Sequence, residues 1–143
     1  RTAFIVGFPG ETKKDFNELK LFVEEYRFER MGVFTYSPEE GTYAFNFKSN
    51  VSERLKKERA DELMFIQQQI SFDNNKKNIG KSLKVIIDNK NNNFYIGRSE
   101  FDSPEIDNEV LINTEKKLEI GGFYDVVVTE AEEFDIYASV WIY

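Results

Sequence analysis

The chain has no cysteine and no histidine among its 143 residues. Without Cys there is no disulfide, no thiolate nucleophile and no thiolate metal cluster. Without His the commonest metal ligand and the usual general base near neutral pH are gone as well. Also missing is any apolar run near the ~18 to 20 residues that a membrane span requires, and any leader with a basic start and a small-residue cleavage site. Proline occurs three times, at Pro9, Pro38 and Pro104, each time in a stretch that reads as a turn or loop. Basic side chains are outnumbered 19 to 26, for a net charge of −7. These absences leave a soluble, cytoplasmic chain without a membrane partner as the expectation, with one ordinary domain or two small ones.

What is present begins with an apolar run, Phe4-Ile5-Val6, that stops at Gly7-Phe8-Pro9-Gly10 and opens a charged segment at Glu11-Thr12. The pattern predicts strand, turn, helix. Consecutive apolar residues without polar alternation predict a parallel strand buried on both faces. Thr12 followed by Asp15 resembles a capping box, and Phe16, Leu19, Phe22, Val23 and Tyr26 fall at helical spacing, so a helix is predicted over 12–26. Residues 31–36 supply a second short strand, which makes residues 4–36 one β-α-β unit. A loop over 37–42 follows. It sits at the end of a parallel strand, where α/β folds place ligands. Ser52 is the expected N-cap of the longest helix, running to about 78 and ending at Gly80, with Leu55, Leu63, Ile66 and Ile70 on its buried stripe. Its polar residues, Lys56, Lys57, Glu58, Glu62, Gln67 and Gln68, are expected to face solvent.

From Gly80 the periodicity becomes strand-like. Five short strands are predicted over 83–88, 94–97, 109–112, 123–129 and 134–141, with an Asn-rich hairpin tip at 89–93 and turns at Gly121-Gly122 and 130–133. Their number and spacing suggest a small antiparallel barrel of the oligonucleotide-fold size class. The expected fold is therefore α+β, with a β-α-β unit and connector helix over 1–79 and a five-stranded barrel over 80–143. Charge divides along the same line. Residues 1–75 carry 11 basic and 13 acidic side chains, whereas residues from 80 onward carry 6 and 13. Because nucleic-acid affinity rests largely on Lys and Arg neutralising phosphates, the acidic half suits a basic protein partner better than RNA.

Several constellations invite chemistry. Gly7-Phe8-Pro9-Gly10 after a strand resembles a phosphate-binding turn, but it matches no phosphate-loop spacing, and Glu11 and Asp15 would repel an anion there. A tight turn with close backbone approach is the simpler reading, with adenosine or small-ligand contact beside it. Glu39-Glu40, and Glu105 with Asp107, have the composition of paired carboxylates, and solvated loop charge explains them better. Arg98 ends a strand and precedes a long loop containing Phe101 and residues 103–107; it could reach a partner's anionic group or form an internal bridge to Asp102, Glu105 or Asp107. The aromatics Phe94, Tyr95, Phe101, Phe123, Tyr124, Phe134, Tyr137 and Trp141 are expected to be mostly core, with a base-stacking platform as the alternative.

On Ile5-Val6-Gly7-Phe8-Pro9-Gly10-Glu11-Thr12, Tyr36-Ser37-Pro38-Glu39-Glu40-Gly41-Thr42 and the barrel after Gly80, the chain resembles the C-terminal part of a methylthiotransferase of the radical S-adenosylmethionine superfamily. The barrel is similar to a TRAM domain. Glu39-Glu40-Gly41-Thr42, with Arg30-x-Gly32-Val33-Phe34 and Pro104-Glu105-Ile106-Asp107, resembles the ribosomal-protein (RimO-type) branch rather than the transfer-RNA branch. That resemblance implies methylthiolation of an aspartate on ribosomal protein S-twelve, a small basic protein. It also implies that the parent enzyme uses S-adenosylmethionine and two four-iron four-sulfur clusters held by Cys, which this chain lacks. The expected object is the last β/α segment of a barrel plus a TRAM domain, inactive alone and without a cofactor of its own. Asn108 stands where the family often has Gly, so a different turn is expected after Asp107. The resemblance further implies adenosine packing near Ile5 and Gly7, a turn shaped by Glu11, and docking of the basic protein through Arg98, Glu105 and Asp107. The alternative is a transfer-RNA methylthiotransferase fragment or an RNA-binding TRAM module. A strand 4–6 without its barrel neighbours is expected to self-associate through its edges.

Overall fold

Thr12 opens the first helix. Its hydroxyl accepts from Asp15 N at 3.1 Å while the Asp15 carboxylate accepts from Thr12 N at 2.8 Å, a complete capping box at the start of helix α1, Lys13–Tyr26. The helix ends on Arg27 in the left-handed region, whose N–H returns to Val23 O. In this computed structural model, which describes residues 1–104 and 106–141, the elements before and after α1 are parallel strands β1, Thr2–Val6, and β2, Met31–Thr35, in register from Thr2↔Met31 to Val6↔Thr35. A short 3₁₀ turn, Tyr43–Asn46, and the long helix α2, Glu53–Lys76, follow. Ser52 caps α2 through its Oγ, which accepts from Leu55 N.

The chain divides into two compact units, Arg1–Ile70 and Ser71–Tyr143. In the first unit, Val6, Phe16, Val23, Met31, Leu63 and Ile70 form the core. Here the expected double burial of β1 fails. Val6 is fully buried, but Ile5 and its register partner Phe34 are each 61% exposed, because the helices cover only one face of a two-stranded sheet. The expectation of a wholly solvated polar face on α2 fails too. Lys56, Arg59 and Gln67 are buried. Each inserts its apolar stem and finds a polar partner for its tip: Lys56 Nζ donates to Tyr36 O, and Gln67 Nε2 to Phe28 O at 2.8 Å. Lys57, Glu58 and Glu62 remain at the surface, Lys57 with its ammonium held in the charged form by the hydrogen bond and charge of Asp61.

In the second unit, β3 (Ser82–Asn91), β4 (Phe94–Ser99), β5 (Val110–Ile112), β6 (Phe123–Ala131) and β7 (Ile136–Val140) close into a barrel in the order β3-β4-β5-β7-β6. The β5–β7 pair is parallel and the other ladders are antiparallel. The Asn-rich hairpin is tighter than the composition suggests: β3 runs to Asn91 and β4 resumes at Phe94, leaving Asn92-Asn93 as the tip, with Asn92 at φ 47°. Gly121, at φ +81°, makes the turn before β6. The interior is filled by aliphatic side chains such as Val85, Ile87, Val110, Ile112, Val126 and Val128. Of the eight aromatics named above, Tyr95 alone is buried, its hydroxyl accepting from Leu118 N; Phe101, Phe123, Phe134 and Trp141 are exposed, so the expectation that most of them are core is corrected. A five-stranded barrel is narrow, and β-branched side chains fill it without the bulk of rings. The last turn of α2 belongs to this unit: Asn75 Nδ2 donates to both Glu132 O and Phe134 O at 3.0 Å.

Candidate functional site

Two places hold the residues singled out from sequence, one in each unit. The first is the turn after β1. Gly7 takes φ +84°, and a Cβ there would collide with the stem of Lys56. Glu11 folds back over this turn: its Oε2 accepts from Gly7 N at 3.0 Å and its Oε1 from Arg59 Nη1 at 2.7 Å. Asn50 closes the other side, its Oδ1 accepting from Gly10 N at 2.7 Å and its Nδ2 donating to Glu11 O at 3.1 Å. The Glu11–Arg59 pair is well buried, with side-chain exposures of 13% and 8%. Desolvation makes such a pair costly to break from one side. A carboxylate of the chain itself thus occupies the place an anion would take, in keeping with the poor phosphate-loop match. Of the three residues assigned here, Gly7 and Glu11 meet directly, while the Ile5 side chain lies on the uncovered sheet face. Arg59 and Asn50 were not found from sequence, since they lie 48 and 39 residues from Glu11 and no local pattern links them.

Phe8, in this turn, packs edge-on against Tyr36, which follows β2, at 5.0 Å. Glu39 and Glu40 are exposed, and Glu39 O accepts from both Thr42 N and Thr42 Oγ1, a turn rather than an acid-base pair.

The second place is on the barrel. Arg98 and Asp107 line one cleft of about 250 Å³, together with Asp88, Asn108 and Glu109. Arg98 is bridged to Asp88, its Nε lying 3.0 and 3.2 Å from the two carboxylate oxygens. The reason is a bulge: β3 pairs Ile87 with Gly97 and Asn89 with Ile96, which leaves Asp88 over and turns it toward Arg98. Asp102 instead accepts from Ser99 Oγ at 2.6 Å, and Asp107 from Ser103 N at 2.7 Å. Glu105 lies outside the described residues. The acidic surroundings act on the chain itself: the charge of Glu132, then burial, and then the hydrogen bond to Glu132, push the Tyr137 phenol above its ordinary value.

The residues present do not fit an iron–sulfur cluster, which needs Cys thiolates the sequence lacks, and the described residues contain no group of three or more metal-ligating side chains. No helix among them is long and apolar enough to cross a membrane.

Comparison with known proteins agrees with the geometry. Residues 79–140 match the TRAM domain family. A ribosomal protein uS12 methylthiotransferase RimO of Christiangramia forsetii is 52% identical over 140 residues, 97% of this chain and 31% of that protein. Those of Phocaeicola vulgatus and Bacteroides thetaiotaomicron are 52% and 53% identical over 142 residues, in each case 98% of this chain and 33% of the relative. The chain spans about a third of the length of the curated relatives it matches. Identity near one half along almost the whole chain, with a TRAM domain on the closed barrel, identifies it as matching the C-terminal portion of the RimO family of uS12 methylthiotransferases.

Proposed function

We propose that this chain is the substrate-docking portion of a uS12 methylthiotransferase, its barrel binding the basic ribosomal protein while residues beyond this chain perform the chemistry in the cytoplasm. One observation carries this: the whole net charge lies on the barrel. Residues from 80 onward hold 6 basic and 13 acidic side chains, and the 13 and 13 that remain upstream cancel. A surface of that sign attracts a cationic protein and repels phosphate backbones. Arg98 and Asp107, which share one cleft, are the docking residues, with Glu105 beside them in sequence. The chain alone is inactive in methylthiolation, since no residue of it can ligate a cluster.

The first unit is the end segment of the radical-SAM barrel. Ile5 and Gly7 are the residues that contact the adenosine of S-adenosylmethionine, a reading supported by the exposure of Ile5 and its register partner Phe34 on the uncovered sheet face. Glu11, itself assigned to cofactor binding from sequence, acts by holding the Gly7 backbone with Arg59 behind it.

A second reading, an RNA-binding module, draws on the exposed Phe123 beside Lys84 and Arg98 in an open trough of about 560 Å³. Titrating the chain with uS12 and with a transfer RNA at physiological salt separates the two. Saturable binding to uS12 and none to RNA is expected; tight RNA binding that weakens steeply with salt contradicts docking of the protein.

A further inference from the structure

The described residues of the loop between β4 and β5 are tied down by hydrogen bonds. Ser99 Oγ donates to Asp102 and accepts from Phe101 N, Ser103 N donates to Asp107, and Glu109 N donates to Asp135 Oδ1 at 2.9 Å. Beside these internal bonds the loop presents apolar side chains outward: Phe101 is 61% and Ile106 73% exposed. Exposed apolar residues on a well-fastened loop are ready anchors for a partner, because little ordering remains to be done on binding.

The adjoining cleft adds two donors without acceptors. Arg98 meets Asp88 through Nε, which fixes the plane of the guanidinium, and its two Nη groups make no hydrogen bond to a described residue. Asn108 Nδ2 is shielded from water in the cleft wall and has no hydrogen-bond partner among the described residues. An unsatisfied buried donor is unfavourable, and an incoming acceptor that reaches it as the wall gives slightly removes that cost. At the same cleft stand the carboxylates of Asp107 and Glu109. Donors call for carbonyl oxygens and carboxylates for cations. An extended peptide bearing Lys or Arg offers both at once, since its carbonyls recur at every residue and its side chains alternate in direction. A nucleic-acid phosphate satisfies Arg98 but meets Asp107 and Glu109 with like charge.

Resting on the docking role proposed above, we propose that this cleft and loop are the contact surface for an extended, Lys- or Arg-bearing segment of the partner. Its carbonyl oxygens bond to Arg98 and Asn108, its cation lies against Asp107 and Glu109, and its apolar groups cover Phe101 and Ile106. The test titrates uS12 into the intact chain and into Arg98→Gln, Asn108→Ala and Phe101→Ser. Each substitution weakens binding, Arg98→Gln by about tenfold, the effect of one hydrogen bond to a charged group. Phe101→Ser replaces an exposed side chain and keeps the fold, so its loss of affinity is readable even where another variant unfolds. In the unaltered chain, the Asn108 side-chain amide resonance shifts on adding uS12. Undiminished affinity in the folded variants with a stationary Asn108 resonance overturns this surface and leaves docking elsewhere on the barrel intact; no binding of uS12 to the unaltered chain overturns both.

Discussion

β1 and β2 pair with each other and, among the described residues, with no further strand, so their sheet keeps open edges and one apolar face in solvent; β3 to β7 close on themselves and leave no edge. The same contrast holds for charge. The first unit buries two of its cations, Lys56 and Arg59, against Tyr36 O, Glu53 and Glu11, and its 11 basic and 12 acidic side chains nearly balance. The barrel keeps its carboxylates largely at the surface over an aliphatic interior. A unit with open edges and an internalised charge network suits completion by more chain. A closed unit with an unbalanced surface suits meeting another molecule.

The contrast can be broken at several points. The largest effect is expected in the barrel from Gly97→Ala, because the added Cβ meets Val85 and, at 2.7 Å, the Ile86 carbonyl, backbone that cannot step aside. A loss of about 3 kcal/mol is expected, read by hydrogen exchange of β3 and β6 amides, with the first unit's amides unaffected. Next comes Glu11→Ala, which strands Arg59 and frees Gly7 N. About 2 kcal/mol is expected from the first unit, with early loss of Gly7 amide protection and an unchanged barrel.

A smaller effect is one of association. Ile5→Lys with Phe34→Lys puts charge on the exposed face, and the self-association expected of the unaltered chain should fall, as followed by sedimentation. Equal masses for both chains would mean that this face needs no cover. Smallest is the cap of α1. Hydrogen bonds from the Thr12 backbone and hydroxyl hold the Asp15 carboxyl below the usual carboxylate range. Its folded pKa is depressed, so its contribution is present at neutral pH and is lost as pH falls through that lowered value. A carboxyl titration by NMR should give a midpoint below that of a free Asp, moving only part of the way back to it in Thr12→Ala, which removes the hydroxyl but keeps the backbone N–H.

Much of the fold was legible because it rests on local patterns. The capping box at Thr12 and Asp15, the Ser52 cap, the apolar stripe through Leu63 and Ile70, and the turns at Asn92 and Gly121 all involve residues a few positions apart. What failed was non-local. Whether Ile5 is covered depends on strands that are not its sequence neighbours. Lys56 and Gln67 looked solvated because charge and amide groups are read as surface, while their partners Tyr36 O and Phe28 O lie 20 and 39 residues away. At the cleft, sequence brought Arg98 and Asp107 into one group, but the pairing with Asp88 required a bulge that shifts register by one residue, which composition does not encode. The aromatic residues misled because apolar character was taken for burial; in a narrow barrel Val and Ile win the interior and Phe101 and Phe123 are left outside.

The assignment of docking to the barrel is tested most directly by neutralising charge on one unit at a time and titrating uS12 at physiological salt. One chain carries Glu100→Gln, Asp107→Asn and Glu109→Gln; the other carries Glu18→Gln, Glu24→Gln and Glu25→Gln on exposed positions of α1. The first is expected to bind about tenfold or more weaker and with a shallower salt dependence, while the second binds like the unaltered chain. Equal affinities for the two, or a loss confined to the α1 variant, would contradict docking through the barrel.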